Sequence, residues 1–116
     1  METVIYHNPR CSKSRATLQL LQERGLNPTI IEYLINPPDK ETLETILSLL
    51  SLQPGELMRH RESIYKELDL GNPALNNDEL VQAMIDNPIL IERPIVVAGD
   101  RARIGRPPEQ VLEIFQ

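Results

Sequence analysis

The residue best suited to chemistry in this chain is its one cysteine, Cys11, which lies where a β-branched run ends and a helical pattern begins. The free N–H groups and partial positive charge at a helix N-terminus stabilise a thiolate over a thiol. Arg10, Lys13 and Arg15 add positive charge nearby, and His7 lies four residues upstream. A buried structural cysteine would have apolar neighbours instead. The pattern therefore predicts a reactive thiol with a lowered pKa.

The fourth residue of the Cys11-Ser12-Lys13-Ser14 segment is a serine, where a dithiol redox motif would have a second cysteine. Serine cannot form a disulfide, so a redox cycle at Cys11 must take its second thiol from another molecule. The Ser14 hydroxyl could donate a hydrogen bond to a thiolate, or it could simply be an exposed polar group in the first helical turn. The same helix start also favours a bound phosphate-like anion.

Arginines at element boundaries are the second candidate group, because ligand-facing residues gather at such positions. Arg93 and Arg106 each precede a proline at the expected start of an element, and Arg59 stands at an expected helix end. Guanidinium groups bind tetrahedral oxyanions through paired hydrogen bonds. For each of these, the alternative is a surface arginine paired with one of the 17 acidic residues. Ordinary surface positions are expected for the remaining candidates, namely Arg24, His60, Arg61, Arg101 and Arg103.

The composition limits the possible functions. The chain has 116 residues and a net charge of −5, which argues against non-specific nucleic-acid binding. One cysteine excludes an internal disulfide and a cysteine-only zinc site, and no metal site is expected. No apolar run approaches the ~20 residues of a membrane span, and the N-terminal residues do not have the pattern of a signal peptide. We expect one cytoplasmic domain over residues 1–116, monomeric and not membrane-bound.

Local patterns predict the elements that position these residues. Thr3–Tyr6 and Thr29–Leu34 have strand-like composition, and they flank a helix that begins at Cys11 and ends before Gly25. Two strands joined by a helix form a βαβ unit with parallel strands and a right-handed crossover. The turn before Cys11 follows from Pro9, which ends the first strand.

The middle of the chain, about residues 39–87, reads as a block of short amphipathic helices. Asp39 suits an N-cap, and Asn76 with Glu79 has the spacing of a capping box. The last part predicts a hairpin, with strands at Ile95–Ala98 and Arg101–Ile104, and then a helix starting at Pro107-Pro108. We expect three side chains of that helix to face the core, namely Val111, Leu112 and Phe115. The element order predicts an α/β fold with a mixed sheet.

Five ordered segments resemble the glutathione- and glutaredoxin-linked arsenate reductases: YHNPRCSKSR from Tyr6, NPP from Asn36, LMR from Leu57, NPILIERPIVV from Asn87 and GRPPEQVL from Gly105. The resemblance extends through nearly the whole chain. It implies a thioredoxin-like, glutaredoxin-like fold, in which a four-stranded mixed sheet has a helical insertion between its βαβ and ββα halves. It also implies a cis peptide bond at Arg93-Pro94, facing the cysteine.

The resemblance further implies an oxidoreductase mechanism and a role for each site residue. The Cys11 thiolate would attack arsenate, and Arg59, Arg93 and Arg106 would hold the arsenate oxygens. His7 would favour the thiolate electrostatically, and Ser14 would hydrogen-bond to the sulfur or to an oxyanion. Glutathione would serve as co-substrate and glutaredoxin as protein partner, without a bound cofactor.

Two other functions remain open at this point. A monothiol, glutathione-dependent thiol-disulfide oxidoreductase would also need one cysteine followed by a serine. A non-enzymatic redox-responsive regulator that binds RNA polymerase is less favoured, because relatives of that kind have a second cysteine where this chain has Ser14. Arg10 and Lys13 make the cysteine segment more basic than in well-known arsenate reductases of this type.

Overall fold

A four-stranded mixed sheet organises the part of the chain that contains Cys11. The computed structural model describes residues 2–116. The strands lie in the order β2-β1-β3-β4, with β1 parallel to β2 and antiparallel to β3, and with β3 antiparallel to β4. Their bounds are Thr3–His7 for β1, Thr29–Glu32 for β2, Ile95–Ala98 for β3 and Arg101–Ile104 for β4. This is the predicted sheet, made of a βαβ half and a ββα half.

Five α-helices and two 3₁₀ helices complete the secondary structure of residues 2–116. The α-helices are α1 at Ser12–Glu23, α2 at Lys40–Leu50, α3 at Pro54–Leu57, α4 at Ser63–Glu67 and α5 at Asn77–Asp86. The 3₁₀ helices are Pro88–Leu90 and Pro108–Phe115. Within residues 2–116, no helix is both long enough and apolar enough to cross a membrane.

The chain divides into two compact units, which we call the sheet unit and the helical unit. The sheet unit contains residues 1–36 and 93–116, and the helical unit is Pro37–Glu92. The helical unit therefore extends beyond the predicted 39–87 at both ends.

The core of the sheet unit forms where the two central strands meet α1 and the C-terminal 3₁₀ helix. Ile5 of β1 lies opposite Val96 of β3, and both side chains are fully buried. Leu21 of α1 and Val111 of the 3₁₀ helix belong to the same cluster. Burial of apolar side chains from strands and helices together fixes α1, and with it the end that bears Cys11, against the sheet.

The helical unit has the caps that the sequence predicts. The Asp39 side chain accepts a hydrogen bond from the Thr42 N–H at 2.8 Å, which caps α2. Asn76 and Glu79 form a reciprocal capping box on α5. A second box, between Gln53 and Glu56, caps α3 and was not predicted. These hydrogen bonds satisfy N–H groups that have no partner inside the helix.

Two predicted elements differ from the structure. Strand β2 ends at Glu32 rather than at Leu34, because the Glu32 carbonyl accepts hydrogen bonds from the N–H groups of Ile35 and Asn36, which turns the chain. The last helix is 3₁₀, so residues three apart share a face. Val111 and Ile114 are consequently its buried side chains. Phe115 is half-buried and packs against the core of the sheet unit, as predicted, whereas Leu112 is half-buried and is not part of that cluster.

Candidate active site

A tight turn from Asn8 to Cys11 places the thiol at the start of α1. The Cys11 N–H donates to the Asn8 carbonyl at 3.0 Å, and the Arg10 N–H donates to the Asn8 side-chain oxygen at 3.0 Å. Cys11 is the N-cap of α1, with extended backbone angles of φ −95° and ψ 123°. Its carbonyl accepts from the Arg15 N–H at 3.0 Å, which is a first turn of helical bonding. The sulfur therefore lies at the helix N-terminus, as predicted.

The pKa of the Cys11 thiol is lowered from its ordinary value. Burial is the largest influence and would raise the pKa on its own. The backbone N–H groups of Ser14 and Lys13, together with the charge and a hydrogen bond of Arg93, outweigh it. Each of these groups stabilises negative charge on the sulfur. The thiol is half-exposed and can be reached by a reactant.

The positive charge that acts on Cys11 comes from a different residue than expected. Lys13 acts through its backbone N–H, and the Arg15 guanidinium donates to the Pro9 carbonyl at 2.9 Å, which braces the turn. The side-chain charge that lowers the pKa of Cys11 belongs to Arg93, at the start of β3. The prediction that the side-chain charges of Arg10, Lys13 and Arg15 lower the pKa of Cys11 was therefore wrong. The prediction that this pKa is lowered is confirmed.

Ser14 and His7 form a buried hydrogen-bonded pair beneath the turn. Ser14 is fully buried and His7 is 6 % exposed, so Ser14 is not the exposed polar group of the alternative interpretation. His7 Nδ1 lies 2.6 Å from Ser14 Oγ, and the Asn8 N–H donates to the same oxygen at 3.0 Å. Ser14 thus connects β1, the turn and α1.

The pKa of His7 is lowered, chiefly by burial and further by the charge of Arg15, while Glu32 acts in the opposite direction. His7 is therefore neutral at pH 7, and its Nδ1 can accept the Ser14 hydroxyl proton. A neutral imidazole has no charge with which to stabilise a thiolate. The hydrogen bond to Ser14 suits His7 to a positioning role, and the electrostatic role that the resemblance implied stays a prediction.

Arg93 and Arg106 are neighbours in the sheet unit. The Arg106 guanidinium donates to the Arg93 carbonyl at 3.2 Å. The Arg93–Pro94 bond is cis, as the resemblance implied, and Arg106–Pro107 is also cis, which was not expected. The structure thus brings Cys11 and Arg93 into contact and places Arg106 beside Arg93.

Arg59 belongs to the helical unit. Its N–H donates to the Leu90 carbonyl at 2.7 Å, and its guanidinium pairs with Glu62 at 2.8 Å. This is the paired arrangement of the alternative interpretation, and a role in binding an oxyanion stays a prediction.

The other basic candidates occupy surface positions, as predicted. Arg103 pairs with Glu113 at 3.0 Å, and Arg101 donates to the Gln116 carbonyl at 3.2 Å. His60 is exposed and stacks on Tyr65 with ring centroids 4.6 Å apart, but it lies in a turn rather than in a helix. Arg24 and Arg61 are exposed. Within residues 2–116, no group of three or more His, Cys, Asp or Glu residues is arranged to hold a metal ion.

Gly105, which was not among the predicted site residues, lies where the end of β4, α1 and Pro94 meet. Its N–H donates to the Pro94 carbonyl at 2.9 Å. A Cβ at this position would collide with Thr17 of α1 and come within 2.9 Å of Pro94 Cγ. The glycine thus permits a close approach of backbone to the cis-proline, and its place directly before Arg106 was the available signal.

Comparisons with known proteins agree with this geometry. The ArsC family matches residues 6–114 of the chain. The uncharacterized protein YfgD of Escherichia coli K12 is 59% identical over 111 residues, which are 95% of this chain and 93% of that protein. An arsenate reductase of Neisseria meningitidis is 50% identical over 95% of both chains.

A solved structure of an arsenate reductase from Vibrio cholerae has a TM-score of 0.96 and 53% identity, covering 98% of both chains. A match of this quality over nearly the full length confirms the predicted thioredoxin-like fold. The residues that match the family include Cys11, Arg93 and Arg106. The chain therefore belongs to the ArsC family.

Proposed function

We propose that this protein is an arsenate reductase that uses glutathione and glutaredoxin as reductants. The observation that supports it most is a cysteine at a helix N-cap whose pKa is lowered by backbone N–H groups and by Arg93. Relatives that are 47% to 50% identical over almost the whole chain are named arsenate reductases. A thiolate beside a guanidinium is suited to attack on a negatively charged oxyanion.

In the first step, the Cys11 thiolate attacks arsenic. A sulfur–arsenic bond forms, an arsenic–oxygen bond breaks, and the departing oxygen takes up a proton and leaves as water. Arsenic stays in the +5 state, so no electrons have been transferred. Arg93, with Arg106 beside it, binds the arsenate oxygens and stabilises the charge that develops on them. The cap N–H groups that favour the thiolate before the attack remain directed at the sulfur.

Glutathione then adds to the arsenic through its own sulfur, and a second oxygen leaves as water. The glutaredoxin thiolate attacks the glutathione sulfur of this adduct. A disulfide forms between them, and the electron pair of the broken sulfur–arsenic bond stays on arsenic, which becomes arsenic(III). Hydrolysis of the remaining bond to Cys11 releases arsenite and restores the thiol. The two electrons come from thiols outside the chain, as a single cysteine requires.

The test is a coupled assay with purified protein, arsenate, glutathione and glutaredoxin, in which arsenite is measured. We expect arsenite only in the complete mixture and none with Cys11→Ser. Ser12→Ala, at an exposed position next to the cysteine, is the matched control and should keep full activity. Absence of arsenite from the complete mixture, while a known arsenate reductase works in parallel, would sink the proposal.

Two further arms of the assay separate the finer parts of the proposal. Replacing glutaredoxin by thioredoxin should stop turnover, and sustained turnover would show that the coupling is wrong. Substitutions of the arginines distinguish arsenate reduction from general thiol-disulfide exchange, because only arsenate reduction requires side chains that bind a tetrahedral anion. Arg106→Ala should therefore reduce arsenate turnover but leave the reduction of a glutathionylated peptide unchanged. Arg59→Ala measures whether Arg59 contributes to arsenate turnover.

A further inference from the structure

A pocket of about 360 Å³ lies beside the Asn8–Cys11 turn, within the sheet unit. This volume falls within the ~300–1,000 Å³ range of small-molecule sites. One wall comes from the end of β1 and the turn, and the other from the end of β2 and the segment after it. The lining side chains used below are His7, Pro9, Arg10, Glu32, Leu34 and Ile35.

Two of these side chains have opposite charges and no ion-pair partner within residues 2–116. Arg10 is held by the turn through its backbone N–H, which leaves its guanidinium exposed. Glu32 is the last residue of β2 and is also exposed. A ligand that has both an ammonium and a carboxylate would complement this pair of charges.

His7 and Asn8 also line the pocket, and its remaining side chains are apolar and unusually exposed for their type. Leu34 is 41 % exposed and Ile35 is 72 % exposed, although both are large and hydrophobic. They lie in the turn that ends β2, and with Pro9 they give the pocket an apolar lining. Such a lining would pack against the methylene groups of a small zwitterionic ligand.

We propose that this pocket binds the small thiol co-substrate, with Glu32 holding its ammonium, Arg10 a carboxylate, and Leu34 and Ile35 its aliphatic chain. The ligand class is a peptide-like thiol with both charges, of which glutathione is the probe. The inference deepens the proposed function and rests on it. Arg93 approaches Cys11 from the start of β3, whereas the pocket lies on the β2 side of β1, so an oxyanion and a thiol would occupy opposite sides of the cysteine turn.

This placement serves the second step of the reaction. The thiol loses its proton and forms a bond to the arsenic held on Cys11, and an arsenic oxygen leaves as water. A thiol whose charged end is bound in the adjacent pocket is already oriented for that attack, which lowers the entropic part of the barrier. The guanidinium of Arg10 then binds a carboxylate of the thiol, in place of the predicted effect on the pKa of Cys11.

Binding is tested first, without arsenate and without turnover. S-Methylglutathione has the charges of glutathione but no reactive thiol, and it is titrated into ¹⁵N-labelled protein. We expect amide shifts centred on residues 7–10 and 32–35. Glu32→Gln and Arg10→Ala should each raise the dissociation constant by about twofold to fivefold, in the range of exposed ion pairs. Shifts confined to other parts of the chain, or none, would overturn the proposal.

Matched controls come from the exposed end of α1, where Glu23→Gln and Arg24→Ala make the same chemical changes away from the pocket. Both should keep wild-type binding. An equal weakening in these variants would mean that only the net charge matters, which contradicts a defined site.

Steady-state kinetics give the second readout. In Glu32→Gln and Arg10→Ala, the KM for glutathione should rise by the same factor, while the KM for arsenate and the kcat at saturating glutathione stay unchanged. An unchanged KM for glutathione contradicts the pocket assignment even if arsenate is reduced. Conversely, shifts in the pocket without any arsenite would support the binding site and refute the proposed reaction, so the two failures are distinguishable.

Discussion

At the scale of single residues, the reactivity of Cys11 depends on a balance between burial and stabilising groups. Burial favours the neutral thiol, whereas the N–H groups of Ser14 and Lys13 and the guanidinium of Arg93 favour the thiolate. The net lowering of the pKa shows that the second set dominates. Because the backbone groups are fixed by α1 itself, Arg93 is the part of this balance that a substitution can remove without disrupting the helix.

Replacing Arg93 by alanine should raise the pKa of Cys11. The thiolate reacts with iodoacetamide and the thiol does not, so at a pH below the pKa the alkylation rate should fall by up to about tenfold for each unit by which the pKa rises. The measurement is the alkylation rate against pH, whose midpoint for the wild type should lie below the ordinary value of about 8.5.

Arg93→Lys and Arg24→Ala are the comparisons for this experiment. Lysine keeps the charge but loses the planar guanidinium, so an intermediate midpoint is expected. Arg24, at the exposed C-cap of α1, should leave the midpoint unchanged. If Arg93→Ala and Arg24→Ala gave the same midpoint as the wild type, Arg93 would have no part in activating the thiol.

The buried His7 should make the stability of the protein depend on pH below neutrality. Burial lowers its pKa in the folded state, while in the unfolded chain the pKa is about 6.5. As pH falls below about 6.5, the unfolded state takes up a proton that the folded state does not. The free energy of unfolding should therefore decrease with falling pH, by less than about 1.4 kcal/mol per pH unit, the limit for one proton.

Urea unfolding between pH 5 and 8, compared in the wild type, His7→Asn and His60→Asn, measures this contribution. His7→Asn should show a shallower dependence on pH below about 6.5. His60→Asn leaves the buried histidine in place and should keep the wild-type slope. Identical slopes in the wild type and in His7→Asn would mean that His7 binds its proton equally well in both states.

At the scale of elements, α1 shows what local patterns can and cannot predict. Its start at Cys11 and its end before Gly25 were predicted, because caps and glycine act within a few residues. The caps Asp39 and Asn76 were predicted for the same reason. The contact of Ser14 with His7, however, needs β1 and α1 to pack together, and no local pattern contains that information.

The site shows the same division between local and long-range information. The position of Cys11 at a helix start followed from its neighbours in sequence, whereas its contact with Arg93 exists only because β3 lies beside β1 in the sheet. The position of Arg93 before Pro94 made it a candidate, and only the family resemblance implied that it acts together with Cys11. The lowered pKa of His7 could not be predicted from the sequence because it depends on burial, and burial is a property of the folded chain.

The junction of β4, α1 and Pro94 should tolerate no side chain at position 105. In Gly105→Ala, the added Cβ meets Thr17 and Pro94, so the elements must move apart. Overpacking of this kind costs about 1–3 kcal/mol of stability. The free energy of unfolding in urea measures it.

Gly55→Ala is the matched substitution for the test at position 105. The added Cβ would lie 3.9 Å from Leu80 Cδ1, an ordinary contact, and alanine is favoured over glycine in a helix such as α3. Its stability should be unchanged or slightly higher. If both variants kept wild-type stability, the close approach at Gly105 would not be a constraint on the fold.

At the scale of the whole molecule, stability should be distributed unevenly because burial is distributed unevenly. In the sheet unit, β1 and β3 are hydrogen-bonded on both sides, and Ile5 and Val96 are fully buried. In the helical unit, α5 buries Val81 and Met84, whereas α4 contains no buried residue. Elements with few buried apolar groups open locally at low free energy.

Native-state hydrogen exchange should therefore rank the elements of this protein. Amides of β1 and β3 should exchange only through near-global unfolding, and those of α4 through local opening at a small fraction of that free energy. Helix α5 is the internal control, since it belongs to the same unit as α4 but buries two side chains. Protection in α5 well above that in α4 is expected. Equal protection in α4 and α5 would instead mean that the helical unit opens as one cooperative body, and local burial would then not determine where this protein unfolds first.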